Sequence, residues 1–339
     1  MNNRKVSRRE FTYGALAAGA VLFTGIRSRA ADLELRQFHN QPADSPLDQW
    51  LSKMWAAVKT ETNGRVQVQV FADNNKIAGG DPAALNMLVG GEVDFFTLNG
   101  GSIGNIVPAC NVQGLLCAFR STQQIFESLD GDLGDYLREE MKSKGIYGFP
   151  KGCFDNGMHQ ITCATRPIRT VDDLQGLKIR TPDAPIYTEA WKAMGAAPVV
   201  ANFNKLYETL KTGAAEAQTN PLAVAEFLKL YEVQKYVSVT NHGWSGFNLM
   251  ANLKMWERIP ADLQKIIERN VVKFVRQQRE ELTALNSEFR TKLATQGMTF
   301  NDADISSFRP RLVAYYAHWK EVAGDRAWKL LEARTGKLV

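Results

Sequence analysis

Arg180 stands in the stretch Gly176-Leu177-Lys178-Ile179-Arg180-Thr181-Pro182-Asp183, where an apolar run gives way to a Thr-Pro loop. A guanidinium is always charged in a protein and forks onto a carboxylate through two parallel hydrogen bonds. At the end of a buried strand it would orient an organic acid. The plain alternative is a surface ion pair, and such pairs are common and weak. Asn220, in Ala217-Gln218-Thr219-Asn220-Pro221, carries an amide that can donate to the same carboxylate or cap a helix before Pro221. A different chemistry is suggested by Gly100-Gly101-Ser102-Ile103-Gly104, which fits G-x-S-x-G and follows a strand-like run. With His159, His242 and His318 later in the chain, it would make an exported serine hydrolase. A nucleophile elbow needs a helix behind the serine, however, and Pro108 breaks the segment that follows. No P-loop, G-x-G-x-x-G or clustered metal ligands occur, so neither cofactor nor metal is expected.

Alternating elements must position these groups. Leu33 to Phe38 alternates faces as a strand does, and Val66, Val68 and Val70 repeat that period. After Ser45-Pro46, apolar residues at 47, 50, 51, 54, 55 and 58 have helical spacing. Asp81-Pro82 opens a further helix, and Val93 to Leu98 reads as a buried strand. In the second half, strands are expected at 146–154, 159–164, 177–179, 198–201 and 247–251, with helices at 185–194, 205–211 and 222–231. From Pro260 to Gly297 no Pro or Gly interrupts the chain, which predicts one helix long enough to bridge two lobes. Strands followed by helices predict an α/β fold with parallel-rich sheets, and ligands in such folds sit beyond the carboxyl ends of strands. Arg180 is at such an end.

Ser7-Arg8-Arg9-Glu10-Phe11, an uncharged run to Ile26 and Ser28-Arg29-Ala30 have the order of an export signal, with a membrane anchor as the plainer reading. The twin arginines point to export of a folded chain, with cleavage after Ala30 and a periplasmic location. The chain is formally +5, but residues 1–30 hold six Lys/Arg and one Glu, so the remainder carries 35 basic and 35 acidic side chains. The basic character belongs to the signal, and nothing indicates nucleic acid. The 309 residues after the signal exceed a usual single domain, so two lobes are expected. Four cysteines are present, and Cys153 with Cys163, flanking Asp155-Asn156-Gly157, is the best candidate disulfide; free buried thiols are the alternative.

A series of short motifs then carries a family resemblance. Asp155-Asn-Gly157, Arg166-Pro-Ile168, Asp173 to Arg180, Gly195-Ala-x-Pro198, Phe203-x-x-Leu-Tyr207, Ala217-Gln-Thr-Asn-Pro221, Tyr231 to Lys235 and Thr240-Asn-His242 follow in order. The chain resembles the substrate-binding proteins of tripartite ATP-independent periplasmic (TRAP) transporters, of the dicarboxylate-binding (DctP-like) type. The resemblance implies a two-lobed periplasmic-binding-protein fold with crossing hinge strands. It divides the chain into lobe I, 31–157 plus 246–285, and lobe II, 158–245 plus 286–339. It implies a small organic acid as ligand, TRAP membrane permease subunits as partners, no enzyme activity, and a monomer or weak dimer. Arg180 matches the family arginine that pairs with the ligand carboxylate, and Asn220 the asparagine of Gln-x-Asn-Pro. Phe203 matches an aromatic packed on the ligand, and Asn99 a polar contact. Where the family often has a second arginine this chain has His159, which argues for one carboxylate: a sugar acid, a hydroxy or keto acid, or an aromatic acid. Trp244, near the hinge, and Phe38 and His39, ending the first strand, complete the expected site.

Overall fold

The computed structural model describes residues 32–339, so the expected twin-arginine signal lies outside the described residues. Among the described residues eleven strands form two sheets: β1 (Leu33–His39), β2 (Val66–Phe71), β3 (Phe95–Leu98), β4 (Ile146–Phe154), β5 (Gln160–Cys163), β6 (Lys178–Thr181), β7 (Ala197–Val200), β8 (Ala217–Asn220), β9 (Tyr236–Val239), β10 (Phe247–Asn252) and β11 (Thr299–Asp302). The first sheet runs β2-β1-β3-β10-β4 and the second β11-β9-β5-β8-β6-β7. This is the two-lobed α/β architecture expected.

Both sheets are mixed rather than wholly parallel, and the crossing of the chain explains why. β2, β1 and β3 are mutually parallel, as helical crossovers require. β4 leaves the first sheet at Phe154 and β10 re-enters it at Phe247, and these two residues are register partners in an antiparallel pair. In the second sheet β5 enters and β9 leaves, so they too pair antiparallel, Ile161 opposite Ser238. Between the sheets the two crossing segments touch through the bridge Met158–Trp244. The Asp155-Asn156-Gly157 turn is thus a passage between lobes and not the tip of a hairpin. That separates Cys153 from Cys163, and the expected disulfide is corrected: all four cysteines are free and buried. Cys153 Sγ lies 3.2 Å from Asn248 Oδ1, and Cys163 Sγ lies 3.4 Å from Thr165 Oγ1.

Helices cover the sheets where their apolar stripes demand. Helix Pro46–Glu61 is started by Ser45, whose hydroxyl accepts from the Asp48 amide, and it buries Leu47, Leu51, Met54, Trp55 and Val58. Each such side chain contributes about 1.5–3 kcal/mol relative to exposure. The uninterrupted run becomes one helix, Ala261–Thr295. Its first half packs on β4 and on helix Pro46–Glu61, its last turns on helix Leu222–Phe227 beneath the second sheet. Lys292 pairs with Glu226 there, and Leu293 joins a core with Leu206, Leu230 and Val237. The helix therefore ties both sheets together. After β11, helices Val313–Ala323 and Asp325–Thr335 return to pack on segments 108–114 and 132–143, on the side of the first sheet. Among the described residues no helix is long and apolar enough to cross a membrane.

Candidate ligand-binding site

A cavity lies between the lobes, where the strands of both sheets end. The first lobe supplies Asn40 and Gln41 just past β1, Asp81 in the first turn of helix Gly80–Gly90, and Asn99 just past β3. The second supplies His159, Arg180, Phe203, Thr219 and Asn220, together with Tyr187 and Trp191 from helix Pro185–Ala193. Phe247, at the start of β10, closes the wall. Hydrogen bonds cross the cleft beside it: Tyr187 Oη donates to Asn99 Oδ1 at 2.9 Å, and Asn105 Nδ2 donates to the Asp183 carbonyl at 3.1 Å.

Arg180 is 2 % exposed. Its Nε and one Nη both donate to the Ala201 carbonyl, at 3.0 and 2.6 Å. That carbonyl fixes the plane of the fork, and no carboxylate of the described residues lies within ion-pairing distance of it. Burial pulls its pKa down to about 10, partly offset by the more distant Asp81. Asp81 is buried too. Asn40 and Asn74 donate to its two oxygens at 2.9 and 2.7 Å, and burial nevertheless holds its pKa above the usual carboxylate range. The Phe203 ring centre is 6.0 Å from the guanidinium carbon. Asn220, 6 % exposed, donates through Nδ2 to Gln218 Oε1 at 2.7 Å. A fixed cation, a hydrogen-bonded anion and amides between aromatic walls can hold a small acid that also bears hydroxyl groups.

His159 Nδ1 is 2.7 Å from Thr219 Oγ1. Burial, reinforced by nearby Arg180, drops its pKa to about 3, so the ring is neutral. His242 lies behind it, 2.8 Å from the same hydroxyl and 2.6 Å from Thr240 Oγ1. Burial lowers its pKa as well.

The structure brings Arg180, Asn220, His159, Phe203 and Asn99 to one cavity. Three other expected site residues stand elsewhere. Trp244 faces away, donating from Nε1 to Asp155 Oδ1 at 2.8 Å and meeting Phe126 edge-on. His39 is fully buried with Nε2 2.9 Å from Asp48 Oδ1. Phe38 packs on Phe71 in the core. The first strand does reach the cavity, but through the next two residues, Asn40 and Gln41. Asp81, Tyr187 and Trp191 were not singled out in the sequence. Asp81 read as a helix-opening Asp-Pro, and the two aromatics fell within the expected helix 185–194.

The hydrolase reading of Gly100-Gly101-Ser102-Ile103-Gly104 is not supported. Ser102 sits in a four-residue helical turn, Gly100–Ile103, capped by Asn99. His159 and His242 are bonded to threonines, and His318 lies at the surface beside Glu189. The glycines have a packing reason. A Cβ on Gly100 would come within 2.4 Å of Gln113, on Gly101 within 2.4 Å of the Tyr187 hydroxyl, and on Gly104 within 2.2 Å of Asn111.

Two lobes joined by crossing strands, with an arginine-bearing cavity between them, define a solute-binding protein. Residues 38–322 match the profile of the bacterial extracellular solute-binding proteins, family 7 (DctP), and the chain belongs to that family. It is similar to a solute-binding protein of Roseobacter denitrificans, 29 % identical over 76 % of this chain and 78 % of that one. It is also similar to the C4-dicarboxylate-binding periplasmic protein of Rhodobacter capsulatus, 28 % identical over 91 % of this chain and 90 % of the relative. Among solved structures, a TRAP periplasmic solute-binding protein from Sulfitobacter with bound β-D-galacturonate superposes with a TM-score of 0.84. That chain is 25 % identical, covering 90 % of this chain and all of its own length, 100 %. The chain is thus a periplasmic substrate-binding protein of the TRAP type.

Proposed function

We propose that the cavity takes a sugar acid with one carboxylate, captured between the lobes and handed unaltered to a TRAP membrane permease. The observation that carries this reading is the buried Arg180 guanidinium, held in plane by Ala201 and free of any carboxylate partner in the described chain. A charge in that state is costly unless an anion completes it. Arg180 would fork onto the carboxylate, with Asn220 donating beside it. Asp81, an acceptor held by two asparagines, would take hydroxyl hydrogens, and Asn99 has its Nδ2 to offer because its Oδ1 already accepts from Tyr187 and the Ser102 amide. Phe203 would pack on the carbon skeleton. A second ligand carboxylate would meet neutral His159 or Asp81 and gain no counter-charge, which favours a monocarboxylate over a C4-dicarboxylate. Uronates, as bound by the Sulfitobacter protein, have this composition.

The same reading takes two closing lobes, 31–157 plus 246–285 and 158–245 plus 286–312, with the C-terminal helices of 313–335 counted with the first lobe because they pack on segments 108–114 and 132–143, and it assigns residues 1–30 to twin-arginine export into the periplasm. Ligand contacts that exist only when both lobes meet would favour the closed state. A thermal-shift and calorimetric screen of D-galacturonate, D-erythronate and succinate tests the assignment. Stabilisation by the sugar acids and not by succinate is expected, since a tight ligand raises the melting point by mass action. Binding of succinate alone would overturn the choice of ligand class.

A further inference from the structure

A chain of hydrogen bonds runs from behind the cavity to its wall. Thr240 Oγ1 lies 2.6 Å from His242 Nδ1, His242 Nε2 lies 2.8 Å from Thr219 Oγ1, and Thr219 Oγ1 lies 2.7 Å from His159 Nδ1. Both rings are neutral, so each carries one proton on one nitrogen, and each hydroxyl has one proton to give. The direction of the whole chain is therefore set by its first member. The Thr240 hydroxyl has two acceptors in reach, His242 Nδ1 at 2.6 Å and the His159 carbonyl at 3.4 Å. The latter is at the far edge of hydrogen bonding, and the former is the natural length for a hydroxyl donor. With Thr240 donating to Nδ1, His242 carries its proton on Nε2 and donates to Thr219. Thr219 must then donate to His159 Nδ1, which leaves the His159 proton on Nε2. Nδ1 is engaged, so Nε2 is the polar atom that His159 has left for the cavity it lines.

We infer that Thr240, His242 and Thr219 are positioning residues that hold His159 with an N–H, not a lone pair, directed to the ligand. Left alone, His159 would be expected in the other form, because a lone pair toward the cavity is attracted by the guanidinium of Arg180. The consequence for recognition rests on the proposed function. Beside its carboxylate the ligand must offer an acceptor to His159, such as the ring oxygen of a pyranose uronate or a keto oxygen.

The test is long-range proton–nitrogen NMR on the full chain labelled with nitrogen-15 histidine. The chain has four histidines, so single substitutions assign them. In the wild type and in Thr219→Ser, His159 is expected to be protonated at Nε2. In Thr219→Val, a β-branched replacement of similar shape, it shifts toward Nδ1 protonation. Calorimetry with D-galacturonate is expected to show a roughly 3- to 10-fold weaker Kd for Thr219→Val and a near-normal one for Thr219→Ser. Nδ1 protonation of His159 in the wild type, or an unchanged tautomer in Thr219→Val, overturns the inference. Failure of the wild type to bind D-galacturonate counts against the proposed ligand and leaves the tautomer result standing, because the spectrum is read without ligand.

Discussion

Arg180 and Ala201 are joined by two hydrogen bonds from one guanidinium to one carbonyl, 3.0 and 2.6 Å long. β6 and β7 run parallel, with Arg180 opposite Val199 and Thr181 opposite Val200, so the carbonyl sits just past the end of the neighbouring strand. The fork is thus oriented by main chain rather than by a carboxylate that would compete with a ligand. Arg180→Ala should cost about 2–5 kcal/mol of sugar-acid affinity, the range for truncating one member of a buried charge pair. Arg180→Lys keeps the charge, but a lysine cannot span Ala201 and the ligand with one planar fork. It should recover less than half of that loss. Calorimetry on both variants decides the matter, and wild-type affinity in Arg180→Ala would remove the residue from the site.

His242, fully buried, and His159, partly buried at the cavity wall, give the protein an acid-sensitive stability. His159 has its pKa dropped from 6.5 to about 3, and His242 also lies well below 6.5. As pH falls below 6.5 the unfolded chain binds protons that the native state refuses, so stability is lost with acidification and regained as pH rises to 6.5. At pH 5 His159 costs about 2 kcal/mol relative to neutral pH, and His242 acts in the same direction. His159→Gln should remove one group's share. Its denaturation midpoint should fall less steeply than that of the wild type between pH 6.5 and 4. Equal slopes for the two proteins would mean that His159 is protonated in the native state.

Much of this could be anticipated from particular residues, and the rest has identifiable reasons for being hidden. The helix Ala261–Thr295 was legible because no Pro or Gly stands between Pro260 and Gly297. Arg180 was legible because a charge stood at the end of an apolar run. The path of the chain between the sheets was not. The sequence marks 146–154 and 159–164 as strands but does not say that they belong to different sheets, and Asp-Asn-Gly between them has the look of a hairpin turn. Asp81 was hidden because the asparagines that satisfy it are 41 and 7 residues away. Trp244 was misplaced because an aromatic near a hinge can face either side of the crossing strands, and Asp155 draws its indole nitrogen away from the cavity.

The contact between Tyr187 and Asn99 is one of two hydrogen bonds that cross the cleft beside the cavity, the other joining Asn105 to the Asp183 carbonyl, and closure should depend on it in part. Tyr187→Phe removes it while keeping the ring. A net loss of about 0.5–1.5 kcal/mol in the closed state is expected. That lowers the closed fraction and weakens the apparent affinity roughly 2- to 10-fold. Gly101→Ala should act in the same direction from the opposite wall, because its Cβ would fall 2.4 Å from the Tyr187 hydroxyl. Small-angle scattering without ligand should show both variants more extended than the wild type. Identical scattering curves would show that this bond does not hold the lobes together.

The hinge itself is gripped by the long helix. Gln278 accepts from the Asp155 amide through Oε1 and donates to the Asp155 carbonyl through Nε2, both at 2.8 Å. The Asp155 carboxylate in turn accepts from the Gly157 amide and from Trp244 Nε1, so the two crossing segments and the helix meet at one residue. Gln278→Ala would leave two main-chain groups of a residue only 3 % exposed without partners. Each such group costs about 1–3 kcal/mol before relaxation. The variant should unfold at lower denaturant, and hydrogen exchange at the Asp155 amide should accelerate, with β1 and β2 unaffected because they lie across the sheet from β4. Exchange at Asp155 as slow as in the wild type would show that the amide is protected by something other than this clasp.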